Sequence, residues 1–174
     1  MANFVELNKS LDKFLMKLIS SQDLCKMLSY DVTSALVKDD LEDTSELLFT
    51  KIFPFPKDVK LLEKASSILI VGFDNFRPIN AGTFNSNIIY FVILCHQTLW
   101  RLNGDADCGL KLRPYLLMNE IAKLFNGQRV TGIGTLEFNG ANQIRDGEYF
   151  GFQLAYKITE FSKEHNVLTR WKYD

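Results

Sequence analysis

Cys95 and His96 are the first pair to test for chemistry, because a thiol beside an imidazole is the usual couple of nucleophile and base. Neighbouring positions on an extended strand point to opposite faces, so the geometry disfavours a catalytic Cys–His pair or a shared metal site. The other cysteines, Cys25 and Cys108, stand far away, and no Cys-x-x-Cys spacing occurs. An odd count of three reads as free thiols rather than a disulfide framework. Cys95 itself lies in an apolar run and reads as a small buried hydrophobe. His165, the second histidine, falls in a polar C-terminal stretch where exposure is the default.

Phosphate and cation chemistry fare no better. Gly132-Ile133-Gly134 precedes a strand, whereas a dinucleotide fingerprint needs strand, glycines and helix in that order. A backbone bend or close approach explains Gly132 and Gly134, and Gly82 is no phosphate loop because the sequence has no Gly-x-x-x-x-Gly-Lys-Ser/Thr. Asp39, Asp40, Glu42, Asp43 and Glu46 lack the glycine and terminal glutamate of a calcium loop and read as a solvated acidic surface. Arg101, Lys111 and Arg113 form a small basic set, read as salt-bridge partners rather than a nucleic-acid footprint. No catalytic, metal-binding or cofactor-binding residue is expected, and the chain reads as a non-enzyme.

Composition agrees with that reading. Twenty basic against 21 acidic side chains in 174 residues, with 47% hydrophobic, exclude both a strongly basic nucleic-acid binder and a disordered chain. The N-terminus, MANFVELNKSLDKFLMKLISS, has no continuous apolar core, so no signal peptide is expected. The longest apolar run, Ile88 to Cys95, is eight residues, against the ~20 a membrane helix needs. The expectation is a soluble chain made in a cytoplasm, with no membrane partner.

The elements that would position side chains follow from periodicity. Leu11, Phe14, Leu15, Leu18 and Ile19 make one helical stripe, and Leu24, Met27 and Leu28 continue it after Ser20-Ser21. A short helix is expected from Ser45, and Phe53-Pro54-Phe55-Pro56 must be extended. Ser67 to Phe73 reads as a strand, Arg77 to Ser86 as a loop, and Asn87 to Leu102 as a strand apolar on both faces. Pro114 starts a helix that ends at Asn126-Gly127, with Leu117, Ile121, Leu124 and Phe125 as its stripe. Burying that stripe contributes on the order of 6–12 kcal/mol before entropy is charged. Gly132–Asn139 is a further strand. Asp146-Gly147 is a turn, and Phe150, Phe152, Leu154, Tyr156 and Ile158 mark the clearest alternation in the chain.

These elements predict an α+β fold: a four-stranded, mainly antiparallel β-β-α-β-β sheet with one packed helix, preceded by an N-terminal helical arm. The expected division is 1–60 (helical arm and connector), 61–162 (α+β core) and 163–174 (C-terminal tail). One helix covers one sheet face, so the doubly apolar strand requires a second cover. The N-terminal helices or another copy of the chain are the two candidates, and part of the shelter is expected from a second molecule.

The stretches FVILCHQTLWRL (Phe91 to Leu102), RPYLLMNEIAKLFN (Arg113 to Asn126) and Thr131 to Phe161, with GIGTLEF and GEYFGFQLAYKITEF, resemble tailed-bacteriophage virion proteins. LCKMLSYD (Leu24 to Asp31) and KIFPFP (Lys51 to Pro56) add to the likeness. The layout is similar to the tail terminator and tail-completion, or neck, family. That resemblance implies a ring, usually of six copies, at the head–tail junction of the virion. Such a ring caps the tail tube and joins it to the head connector and stopper proteins, and DNA passes through without specific binding. It also implies assembly rather than catalysis, with no cofactor. Phe73, Phe76, Arg77, Phe84 and Trp100 are the candidate subunit or partner interface, and the Asp74–Asn85 segment would reach neighbouring subunits, tube or connector. The alternatives are another minor neck or head-closure protein, an adaptor that binds a host protein through its aromatic surface, and a small enzyme using His96 with a nearby carboxylate.

Overall fold

The computed structural model describes residues 4–79, 83–103, 109–130 and 133–159, with side chains from 8 to 74 and from 88 onward within those ranges. Cys108, Gly82, Gly132, His165 and the 163–174 tail lie outside the described residues.

The chain opens with α1 (Phe4–Ile19), whose predicted stripe is buried at Phe14, Leu15, Leu18 and Ile19. The Ser21 hydroxyl accepts from the Leu24 N–H and so caps α2 (Gln22–Ser29). The helix expected from Ser45 is a short 3-10 turn, Thr44–Leu47, started by the Asp43 carboxylate. Then come β1 (Ile52–Phe53), β2 (Ser67–Ile79), β3 (Thr83–His96), β4 (Arg101–Leu102) and β5 (Lys111–Leu112). Helix α3 (Arg113–Phe125) has Pro114 in its first turn, and Gly127 follows it at φ 68°, the left-handed geometry that a helix terminus asks of glycine. Strands β6 (Arg129–Val130), β7 (Gly134–Asp146) and β8 (Tyr149–Thr159) follow, with Gly147 at φ 59° in the turn between the last two. Among the described residues, no helix is long and apolar enough to cross a membrane.

The four-stranded expectation is corrected. Among the described residues the sheet has six strands in the order β1-β2-β3-β8-β7-β6, and β4 and β5 form a separate two-stranded ladder. It is mixed, because β1 runs parallel to β2 while the other pairs are antiparallel. The added strands, β1, β4, β5 and β6, are two residues long and too short to leave a periodicity in the sequence. Residues 77–86 are also not a plain loop, since β2 and β3 continue in register from Phe76↔Ser86 to Ile79↔Thr83.

Nor is α3 the single packed helix. Phe14 of α1 meets Phe125 of α3 at 5.5 Å and Phe91 of β3 at 6.4 Å, and Phe91 stacks on Phe125 at 4.9 Å. All three helices therefore share one core with Ile89, Phe91, Ile93 and Cys95 of β3 and Leu154, Tyr156 and Ile158 of β8.

The opposite sheet face has its own cover. Ile68 and Ile70 of β2, Leu94 of β3 and Tyr149 of β8 pack against Phe53 and Val59, with Leu62, Val92 and Ile144 at the margin. The shelter expected from a second molecule is thus supplied at this end by the chain's own residues 53–62. Farther along the same face the cross-strand rows turn polar: Asn142 pairs with Gln153, and Glu137 with Lys157. At Gly151 a β-carbon would fall 1.8 Å from the Ile93 carbonyl oxygen, so β3 and β8 approach there in a way only glycine allows.

Candidate functional site

The candidate interface residues occupy three different settings. Phe73 lies on the helix-covered face, half-buried, with its ring edge 5.9 Å from Phe14. Trp100 is half-buried beyond the far end of β3. Its indole Nε1–H donates to the Cys95 carbonyl at 3.2 Å, and its ring meets Phe150 at 6.2 Å. Phe76, Arg77 and Phe84 stand on the β2–β3 hairpin, opposite Ser86, Asn85 and Pro78 respectively. The fold therefore brings Phe76, Arg77 and Phe84 together on one ribbon and holds Trp100 at the other end of β3.

That ribbon is the least supported part of the sheet. Strand β8 pairs with β3 only from Ile88 to His96, and β1 pairs with β2 only at Leu69 and Ile70. Beyond these points, among the described residues, no third strand pairs with either edge of the two-stranded ribbon. Pro78 is tolerated in such a place because, among the described residues, no third strand asks for its missing N–H.

The other end of β3 holds the polar chemistry. His96 Nδ1 lies 2.8 Å from Thr98 Oγ1 and 3.4 Å from the Thr98 N–H, and Nε2 lies 3.1 Å from Glu148 Oε2. With Nδ1 accepting from Thr98, the proton belongs on Nε2, which donates to Glu148. The Gln97 N–H also donates to the Glu148 carbonyl at 3.0 Å, so the β7–β8 turn is fastened to the end of β3. These groups border a cleft of about 390 Å³ with Lys60, Glu63, Lys64 and Tyr149, whose hydroxyl donates to the Lys64 carbonyl. Both imidazole nitrogens are engaged by the protein, so the carboxylate beside His96 acts here as a fastening.

Deeper in, Arg113 is wholly buried. Its guanidinium donates to the Met27, Tyr30 and Val32 carbonyls, closing the C-terminal end of α2 that the helix itself leaves unsatisfied. Burial lowers its pKa, while the neighbouring Cys95 and Asp31 favour the charge. Asp31 in turn holds Lys51 at 2.8 Å, and Lys51 also donates to the Ser66 hydroxyl. Of the expected basic set, only Arg113 has this role; Arg101 is exposed and Lys111 half-buried on the β4–β5 ladder.

The thiols are set for packing. Burial pushes Cys25 up to about 12, and Cys95 up to about 11 against the opposing help of Ser67 and Arg113, so neither is a thiolate near neutral pH. Among the described residues, no group of three His, Cys, Asp or Glu side chains could hold a metal ion.

Sequence reasoning missed one surface feature. Phe49 is the single non-glycine residue with positive φ among those described, at 64°, and its ring is exposed. It stacks on the exposed Phe55 at 6.4 Å with an interplanar angle of 22°. The Phe-Pro-Phe-Pro run was the available signal for exposed aromatics here, whereas the left-handed backbone at Phe49 has none.

Together these features define an α+β scaffold with a polar, fastened end and an unsupported β-ribbon. The YomW family model matches residues 21–158, from the α2 cap almost to the end of β8, and the chain belongs to that family. No curated protein and no solved structure matches it.

Proposed function

We propose that this chain is a structural subunit of a tailed-bacteriophage virion, forming a ring at the head–tail junction that terminates the tail tube and joins it to the connector. The observation that carries this reading is the β2–β3 ribbon, whose edges are unpaired on both sides beyond Asp74 and Ile88 among the described residues. A two-stranded ribbon is marginal alone in water, and a strand from another molecule can complete it by backbone pairing. The resemblance of Phe91–Leu102, Arg113–Asn126 and Thr131–Phe161 to neck proteins supplies the particular role. Two contacts were expected, the outer sheet face and the Asp74–Asn85 segment. Residues 53–62 cover the apolar end of the outer sheet face, which leaves the ribbon, with Phe76, Arg77 and Phe84, as the contact.

The test is negative-stain imaging of the purified protein, alone and mixed with tail tubes, followed by labelling in the particle. Ring-shaped oligomers, or label at the head–tail junction, are expected. Protein that stays monomeric with tubes and is missing from particles overturns the proposal, and its recovery only in infected cells would favour a host-directed adaptor.

A further inference from the structure

The tripeptide Phe-Asn-Gly occurs twice in the chain, at Phe125–Gly127 and at Phe138–Gly140. Asn-Gly is the pair most open to attack of the backbone on the side-chain amide, because glycine places no side chain in the way. The same residues on either side give the two asparagines closely similar intrinsic chemistry, so a difference in their reactivity comes from the fold.

Asn126 is held on both sides of the bond that would form. Its Oδ1 accepts from the Phe138 N–H at 3.0 Å. The nitrogen that would attack, that of Gly127, donates to the Leu136 carbonyl at 2.7 Å. Asn139 is set differently, although both asparagines are exposed. The β7–β8 register passes from Phe138↔Tyr156 to Gly140↔Ala155, so Asn139 is the extra residue of a β-bulge, without a partner across the ladder. Among the described residues its side chain makes no hydrogen bond. Gly140 follows at φ 151°, a conformation that glycine takes more readily than any other residue. Apart from its chain neighbours, nothing stands within 4 Å of where its β-carbon would be.

We propose that Asn139 is a site of self-modification in the folded protein, and that the fold protects Asn126. The Gly140 amide nitrogen, on losing its proton to base, attacks Asn139 Cγ and closes a five-membered succinimide. The Cγ–Nδ2 bond breaks and ammonia leaves. Water then opens the ring to aspartate, or to isoaspartate with the main chain routed through the side-chain carboxyl. Either product adds a negative charge. Beyond Thr135, no strand but β8 pairs with β7 among the described residues, so the charge falls on an open sheet edge, where it discourages strand addition. The proposal concerns the isolated chain and is independent of the ring reading.

The experiment is tryptic peptide mapping of the full chain during incubation in mildly alkaline buffer, native and in urea. The two sites fall in different peptides, Leu124–Arg129 and Val130–Arg145, and the Asn-Gly pair at Asn103 falls in a third. In urea, Asn126 and Asn139 are expected to convert at similar rates. In the native protein, Asn139 is expected to convert about ten-fold faster than Asn126, whose two hydrogen bonds must first break. Asn139→Gln is expected to abolish conversion of the Val130–Arg145 peptide. Equal native rates overturn the proposal, as does an Asn139 that converts in urea yet stays intact in the native protein. Conversion of that peptide persisting in Asn139→Gln overturns it too, by moving the reaction to another residue.

Discussion

The two ends of β3 are built on opposite plans. At its His96 end, the strand is flanked by β2 and β8, covered by helices on one face and by residues 53–62 on the other, and tied down by buried polar groups. Arg113, Asp31, Lys51 and Ser66 give that end a set of hydrogen bonds that ties α3 to the end of α2 and Lys51 to Asp31 and Ser66. At its Thr83 end, the same strand has one partner, β2, and no third strand among the described residues. The difference separates two jobs along one continuous strand. One end specifies the fold, and the other presents backbone to be completed.

The comparison breaks most visibly if the fastened end proves dispensable. Arg113→Leu keeps much of the side chain's volume yet strands three carbonyls, the buried one of Met27 and the part-buried ones of Tyr30 and Val32. The expected loss is about 3–5 kcal/mol in urea unfolding, a large part of a typical domain's stability. Arg113→Lys should recover little, because a single ammonium cannot fan out to three acceptors as a guanidinium does. A loss below about 1 kcal/mol for Arg113→Leu would remove this end's claim to specify the fold.

How much of this was legible follows from range. Helices α1, α2 and α3 and strand β8 carry their periodicity locally, in stripes such as Phe14-Leu15-Leu18-Ile19 and Leu154-Tyr156-Ile158 that became core. Gly127 and the Asp146-Gly147 turn were likewise readable, because left-handed backbone has a residue preference. The two-residue strands were not, since they exist only through their partners, as Ile52 and Phe53 do through Leu69 and Ile70. The 77–86 ribbon was obscured by its own Pro, Gly, Asn and Ser content, which in an open-edged hairpin does not prevent pairing. Arg113 was read as a salt-bridge partner because its backbone acceptors lie more than 80 residues upstream, at and just past the end of α2. Phe49 reverses the residue preference of its backbone, so no residue-by-residue rule could have found it.

A middle-sized effect sharpens the comparison within the core. The Tyr156 ring is fully buried and packs on Phe91, but its hydroxyl has no hydrogen-bond partner, and burial pushes its pKa up to about 12. Tyr156→Phe keeps the ring and removes the unsatisfied hydroxyl, so stability at pH 7 should rise by about 1 kcal/mol. The pH dependence has a definite sign. The unfolded phenol ionises near 10 while the folded one still holds its proton, so stability falls as pH climbs from there through about 12. Tyr156→Phe should remove about 2 kcal/mol of that decline by about pH 11.5. Cys25 and Cys95, also raised by burial, leave a residual decline that begins nearer pH 9. Urea unfolding across pH 7 to 11.5 reads both effects, and an unchanged alkaline slope would mean that Tyr156 reaches water.

The smallest effect on stability belongs to the open end, and its smallness is the point. Replacing residues 77–85 by Asn-Gly joins Phe76 to Ser86, an existing cross-strand pair, through a two-residue turn that matches strand twist. The register pairs removed, from Arg77↔Asn85 to Ile79↔Thr83, are flanked by no third strand among the described residues. Shortening the loop slightly lowers the entropy of closure, which offsets the lost ribbon bonds. Unfolding stability should therefore change by less than about 0.5 kcal/mol. Assembly should respond in the opposite way, with the shortened protein no longer forming rings or joining tail tubes in negative stain, since Phe76 keeps its place but Arg77 and Phe84 are gone. A drop in stability comparable to that of Arg113→Leu would mean that the ribbon folds back onto its own subunit. The two ends of β3 would then share one job, and the ribbon would have no free edge to offer a neighbour.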